Sequence, residues 1–390
     1  MKIVQINSIC GGSTGKIAHR IAAGLDQRNI ENYILYAYGN PSDEHDFAYS
    51  MKPEIRMNAL RSRILGNYGF NSGWATKRLI RKLEEIRPDI IHLHVAHSHD
   101  VNIEILCDYL ADKKVVWTMH DCWLFTGYCP YYTYSGCDNW KTECHDCRQK
   151  KQYSWFWDCS NDNFNRKKKA LHKLENLTVV TPSSWLMNEM SRSFLKSNRI
   201  HMINNGIDLN LFHRMDTAAA EQDSEKKMVL CVGLPFGERK GIRDVLKLAE
   251  ILPEEYRIVI VGAEKGKYPE NITAIERTEN QQELVEYYNH AHVLLNPTHE
   301  DNFPTVNLEA LACGTPVITY NVGGSPESLD DRTGIIVEEN DIIGLKNAVL
   351  SIKPDREQCR KRAELLYSDT LMADAYFKLY QQIDQFGADF

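Results

Sequence analysis

Short apolar runs of strand length alternate along the chain with longer stretches whose apolar residues recur at helical spacing. Residues 2–7 form the first such run, 8–15 a loop of small residues, and 16–28 a helix with Ile17, Ile21, Ala22 and Leu25 on one face. The strand pattern recurs at 89–93, 115–119, 177–181 and 199–203, and again at 228–232, 257–261, 272–275, 292–296 and 317–320. Strands alternating with helices predict parallel sheets covered on both faces. Two such series predict an α/β chain of two doubly wound, Rossmann-like domains. The turn-forming run Asn204-Asn205-Gly206-Ile207-Asp208 marks the break and sets the domains at 1–205 and 206–370. A last helical stretch within 371–390, with Leu371, Ala375, Phe377, Leu379, Tyr380 and Ile383, is expected to pack back on the first domain. The polar segment 216–227 reads as a surface loop.

A length of 390 residues suits two cores rather than one. With 43% hydrophobic residues, no apolar run long enough to span a bilayer and no charged-then-apolar leader, the expectation is a cytoplasmic chain. A net charge of −7 argues against a general nucleic-acid partner. The charge is uneven, however: residues 52–87 carry nine Lys or Arg against three Glu, interleaved with Ile64, Leu65, Tyr68, Phe70, Trp74 and Leu79. That mixture suits the anionic surface of an inner membrane, approached peripherally, as well as it suits a solvated helix face.

Asp301 and Glu309 stand eight residues apart and open onto an apolar helix that runs into Gly314-Thr315-Pro316. Carboxylates hydrogen-bond sugar hydroxyls and the bare N–H groups of a helix start bind phosphate, so this stretch fits a sugar nucleotide. In Cys10-Gly11-Gly12-Ser13-Thr14-Gly15-Lys16 the phosphate-loop motif fails at two positions, Cys10 and Ile17, yet Gly11 and Gly12 still allow close backbone approach to an anion. A tight structural turn is the plainer reading. Phe236-Gly237-Glu238-Arg239-Lys240-Gly241 occupies the matching loop of the second half, where Arg239 and Lys240 are either diphosphate ligands or surface charge. His120 and Asp121 follow a strand toward the ligand-binding end of the first sheet. Of His92, His94, His97 and His99, the last three are candidates for pocket lining rather than metal ligation, with Thr14 on the same acceptor side. Cys129, Cys137, Cys144 and Cys147, ending in a Cys-x2-Cys knuckle, are either a four-thiolate structural zinc set or four free thiols in an aromatic insertion at 122–159.

Taken together these positions resemble the retaining glycosyltransferases of family 4, with the similarity running over nearly the whole chain. Its strongest part is Glu300-Asp301-Asn302-Phe303-Pro304-Thr305-Val306-Asn307-Leu308-Glu309-Ala310-Leu311-Ala312-Cys313-Gly314-Thr315-Pro316, followed by Gly323-Gly324-Ser325-Pro326-Glu327. The resemblance implies the GT-B fold, its two domains facing across a cleft, and a donor that is a uridine or guanosine diphosphate sugar. It places Glu309 on the ribose, Arg239 and Lys240 on the diphosphate, Gly11 and Gly12 near it, and Asn302, Phe303, Pro304 and Thr305 around the donor. Arg277 stands near the base, while His120 and either Glu300 or Asp301 act as the catalytic, sugar-positioning groups. Where the family often has Arg after the glycine that matches Gly233, this chain has Leu234, which shifts that role to Arg239. The stretch from Thr118 to Cys129 is similar to a subgroup of bacterial capsule, exopolysaccharide and O-antigen assembly, which implies a lipid-linked oligosaccharide acceptor. No cofactor is implied for catalysis. The alternatives are a nucleotide-sugar epimerase on the same frame and a sugar-nucleotide-binding protein without catalysis.

Overall fold

The computed structural model describes residues 1–41, 44–215 and 226–386. Most of the polar segment expected to be a surface loop, 216–225, therefore lies outside the described residues. The chain forms two compact units, one of Met1–Asn204 with the residues from Met372 on, the other of Asn205–Leu371.

The first unit is a seven-stranded parallel sheet of β1 (Lys2–Ile9), β2 (Glu31–Tyr38), β3 (Asp46–Ala48), β4 (Ile90–Leu93), β5 (Lys114–Thr118), β6 (Asn176–Thr181) and β7 (Arg199–Met202), in the order β3-β2-β1-β4-β5-β6-β7. Its central strand is buried on both faces because both are covered. Ile3 packs with Ile17, Ile21, Leu25, Tyr376 and Tyr380, whereas Val4 and Ile6 point into the larger core with Leu79, Leu83 and Leu106. Each such buried side chain contributes about 1.5–3 kcal/mol. The helix Asp369–Phe386 seals the first of these faces through Met372, Ala373, Tyr376, Leu379 and Tyr380. Tyr380 Oη is 2.6 Å from His92 Nδ1 and Tyr376 Oη 2.7 Å from Thr118 Oγ1, so the tyrosines also satisfy polar atoms under the sheet.

The second unit has six parallel strands, β8 (Lys227–Phe236), β9 (Tyr256–Ala263), β10 (Ile272–Ile275), β11 (Val293–Asn296), β12 (Val317–Tyr320) and β13 (Gly334–Val337), ordered β10-β9-β8-β11-β12-β13. In each sheet the first strand of the series lies inside the order, and the chain winds outward from it to either side. That reversal opens a crevice at the carboxyl ends of the strands, where such sheets take ligands.

Three strands escape the sequence pattern. β2 follows the first helix through Asn29 at φ 55°, a left-handed turn with no Gly or Pro to signal it. β3 has three residues, and β13 is a half-exposed edge strand. The basic stretch also needs correcting: Tyr68, Phe70 and Leu79 are core residues, while Ile64, Leu65 and Trp74 are exposed. The aromatic insertion is fastened by Lys167, fully buried, whose ammonium donates to the carbonyls of Trp123 at 2.5 Å and Thr126 at 2.7 Å and lies 3.4 Å from the Trp123 ring centroid.

Candidate active site

In the second unit the loop after β8 and the loop after β11 are laced together. His299 N donates to Arg239 O at 2.9 Å, and Arg239 Nη1 donates back to Glu300 O at 2.9 Å. Beside this, Lys240 Nζ lies 2.5 Å from Asp301 Oδ2, with each side chain only 14% exposed. The turn that presents both cations requires Gly241 at φ 85°, where a Cβ would collide with the Pro297 carbonyl. Gly323, at φ 60°, lies so close to the Asp301 carbonyl that it too has no room for a side chain, and Gly324 N donates to that carbonyl at 3.1 Å. The Gly-Gly motif thus seats Asp301.

The helix Thr305–Ala312 follows with Pro304 at its N-cap and no side-chain cap, so its first N–H groups point out of the helix start beside Asn302 and Phe303, both buried. Glu309, one turn further, accepts from Tyr288 Oη at 2.9 Å. Desolvation, reinforced by the Glu309 charge, drives the Tyr288 phenol well above its ordinary range, so it stays a hydrogen-bond donor. Asp301, Lys240, Glu300, Arg239 and the helix start are therefore brought together. Arg277 is not held among them; it is exposed in the segment after β10.

Sequence reading missed the support beneath this site. His299 bonds Glu339 through Nδ1 at 2.6 Å and lies 3.3 Å from Asp244 through Nε2, and Asp244 accepts from Tyr320 Oη at 2.9 Å. His299 stands next to Glu300 and was within reach of a closer reading. Asp244 gave no signal, because it sits on a helix of ordinary amphipathic pattern.

In the first unit, the helix Gly12–Asp26 starts directly after β1 with Gly11 as an N-cap that has no side chain, and Gly12 at φ 72°. Asn7, at the end of β1, bridges to Thr14 Oγ1 at 3.1 Å and to Val95 N at 3.1 Å. His94 Nδ1 lies 2.9 Å from His120 Nε2, and His97 Nε2 lies 2.9 Å from Asp121 Oδ2. Burial brings the His120 imidazole down to about 4, the nearby Asp121 opposing and His97 adding to the effect, and pushes His94 well below its ordinary value. Both rings are neutral at pH 7. Burial pushes the Asp121 carboxyl up, but His97 and the Trp123 N–H outweigh it and leave the group below its usual range. Thr14, His94, His97 and His120 thus line one end of the sheet. His99 is half-buried against Ser62 and Tyr68, and burial, with Arg63 and His97, lowers it to about 4.

None of the four candidate zinc cysteines is in a disulfide. Cys129 and Cys147 are hydrogen-bond partners, the Cys129 thiol held up by that bond and Cys147 lowered by it, and Cys144 Sγ accepts from Gly127 N at 3.2 Å. Among the described residues, however, the only three His, Cys, Asp or Glu ligand atoms that all lie within 4.8 Å of one another belong to Cys10, His19 and Asp46. No three of the four candidate zinc thiols meet that spacing. Aromatic packing of Phe125, Tyr132 and Trp140, together with Lys167, shapes the insertion.

Two doubly wound units, one carrying paired cations against an acid-rich helix start, define a GT-B glycosyltransferase. The profile of Glycosyltransferase Family 4 matches residues 14–211, just over half of the chain, and that of Glycosyl transferases group 1 matches 215–366. The chain belongs to this family. It is 23% identical, over 98% of its own length and 100% of the relative's, to WcaC of Escherichia coli (strain K12), a protein assigned to colanic acid biosynthesis as a glycosyl transferase. Sucrose-phosphate synthase from Thermosynechococcus elongatus superposes with a TM-score of 0.71 at 18% identity, covering 98% of both chains. HepE of Anabaena, solved in complex with UDP, superposes with a TM-score of 0.68 at 12% identity, covering 98% of this chain and 100% of that one. The enzyme is a glycosyltransferase.

Proposed function

We propose that the protein moves a sugar, with retention of configuration, from a uridine or guanosine diphosphate donor to a hydroxyl of a lipid-linked oligosaccharide in bacterial exopolysaccharide assembly. The observation that carries this reading is the ion pair of Lys240 with Asp301, set beside Arg239 and the uncapped start of helix Thr305–Ala312. A diphosphate entering there draws the ammonium from a carboxylate to phosphate oxygens and gains the helix N–H groups, two interactions that strengthen as the leaving group gathers charge. Glu309, held by Tyr288, binds the ribose; Glu300 and Asp301 meet the sugar hydroxyls. In this reading attack comes on the face that the leaving group vacates, and the departing phosphate takes the acceptor proton, so no protein nucleophile is needed. Neutral His120 acts as a hydrogen-bonding group.

The exopolysaccharide setting is supported by the end-to-end match to WcaC. A membrane-borne acceptor is supported by the first unit's surface: Met57, Leu60, Ile64 and Leu65 are exposed on helix Lys52–Leu65 among Arg56, Arg61 and Arg63, and Trp155, Phe156 and Trp157 stand exposed where Trp155 N bonds Arg63 O at 2.8 Å. Among the described residues no helix is long and apolar enough to cross a membrane, and the contact proposed here is a peripheral one. The test is to incubate the protein with uridine and guanosine diphosphate sugars and a lipid-linked acceptor extract. Nucleoside diphosphate release that requires the acceptor, with the product anomer matching the donor, is expected; an inverted product anomer or release indifferent to acceptor overturns the reading.

A further inference from the structure

Cys10, His19 and Asp46 come from three successive elements of the first unit: the end of β1, the second turn of helix Gly12–Asp26, and the first residue of β3. Cys10 Sγ lies 3.5 Å from His19 Nε2 and 3.6 Å from Asp46 Oδ2, and His19 Nε2 lies 3.9 Å from Asp46 Oδ2. The last separation is too long for a hydrogen bond. A tetrahedral zinc ion with ordinary Zn–S, Zn–N and Zn–O bond lengths holds its ligand atoms about 3.4–3.6 Å apart, so the two separations from sulfur match and the nitrogen–oxygen separation is about half an ångström long. Thiolate, imidazole and carboxylate together are a ligand set that zinc accepts.

The surroundings are built to hold the three groups still. Cys10 is 1% exposed and its N–H donates to Tyr38 O at 3.0 Å. Gly39, at φ 132°, passes so near Cys10 that a side chain there would press on the Cys10 Cβ. The Asp46 side chain is 1% exposed, and its strand is paired to β2 through Ile34. The His19 side chain, at 24% exposure, is the one that reaches water. Three protein ligands with solvent at the fourth corner is the form of an accessible zinc site rather than a sealed one.

We infer that Cys10, His19 and Asp46 form a zinc site that ties the Gly11-Gly12 loop to β3. The ion fixes the loop from behind, so these three residues are positioning residues for whatever the loop binds. The inference concerns the site alone and stands whether or not the donor and acceptor proposed above are right.

The full chain, reloaded with excess zinc or with cobalt(II) and freed of unbound ion, provides the test. Expected are one metal ion per chain and, in the cobalt form, a thiolate-to-metal charge-transfer band. Cys10→Ser removes the band, and Asp46→Asn or His19→Gln weakens zinc affinity roughly tenfold or more. Should Cys10→Ser not fold, His19→Gln at the partly exposed ligand is read by the same spectrum. No bound metal, metal content unchanged by Cys10→Ser and His19→Gln, or a cobalt band that survives Cys10→Ser and vanishes in Cys144→Ser each overturns the inference.

Discussion

Lys240 and Asp301 neutralise one another in a setting where each side chain is mostly out of water, so neither can be removed without exposing the other as an uncompensated charge. Lys240→Ala is therefore expected to act twice. It removes the cation proposed for the diphosphate, lowering kcat/KM by about a hundredfold or more, roughly 3 kcal/mol. It also releases Asp301, so some loss of stability accompanies it. Lys240→Ala with Asp301→Asn restores the stability but not the turnover; titrating donor affinity calorimetrically checks the assignment, and an unchanged affinity in Lys240→Ala removes Lys240 from the donor site. A second expectation concerns pH. His120 has a folded-state value of about 4 against an ordinary 6.5, so the unfolded chain binds its proton first as pH falls. The stabilisation is complete above pH 6.5 and lost progressively toward pH 4, about 3 kcal/mol from this group. Asp100 works in the opposite direction: burial lifts its carboxyl to about 6, against hydrogen bonds from Tyr49 and Ser8, so acidification below pH 6 relieves a cost. Urea denaturation at pH 7 and pH 4.5 should show a net loss in the wild type, deepened in Asp100→Asn and reduced in His120→Asn. Equal losses in all three proteins contradict the assignment.

Between elements, the acid-rich loop is shaped from behind by the turn after β12. Gly323 leaves no room for a Cβ against the Asp301 carbonyl and sits at φ 60°, so Gly323→Ala combines left-handed strain with a steric push. Activity should fall at least tenfold with a loss of about 1–3 kcal/mol in unfolding free energy. If Gly323→Ala is fully active, Asp301 does not need this seat. The eight-residue interval from Asp301 to Glu309, a loop running into a helix start, is a local feature and could be read from the chain directly, as could the strand-loop-helix settings of Gly11 and Lys240. The pairing of Lys240 with Asp301 could not, because 61 residues separate them and only β8 lying beside β11 brings their loops together. Arg277 was chosen for its place after a strand, and it stands exposed in the segment after β10.

Over the first unit's surface, exposed apolar and basic side chains gather on helix Lys52–Leu65 and on 155–157. Partition to vesicles containing anionic lipid is the expected consequence, and the combined change Trp155→Ala, Phe156→Ala, Trp157→Ala should weaken it by tenfold or more without changing turnover of a water-soluble acceptor analogue. Sedimentation with vesicles measures this; absence of vesicle binding removes the membrane from the picture, and binding indifferent to both the triple change and salt removes this surface as the contact. Half of this surface was visible as a composition of charge and aromatics. Which aromatics face water was not: Tyr68 and Phe70 carry the same apolar signal as Trp74, yet they pack inward.

The sequence by itself determined the α/β class, the two series of parallel strands and the loops at their carboxyl ends, because periodicity, turn residues and helix starts are properties of neighbours along a chain. Only the tertiary structure decided that Gly323 seats Asp301, that His94 meets His120, and that Cys10, His19 and Asp46 converge. Those contacts depend on which strands lie side by side and on how closely two backbones approach, quantities set by packing a whole sheet and carried by no local pattern.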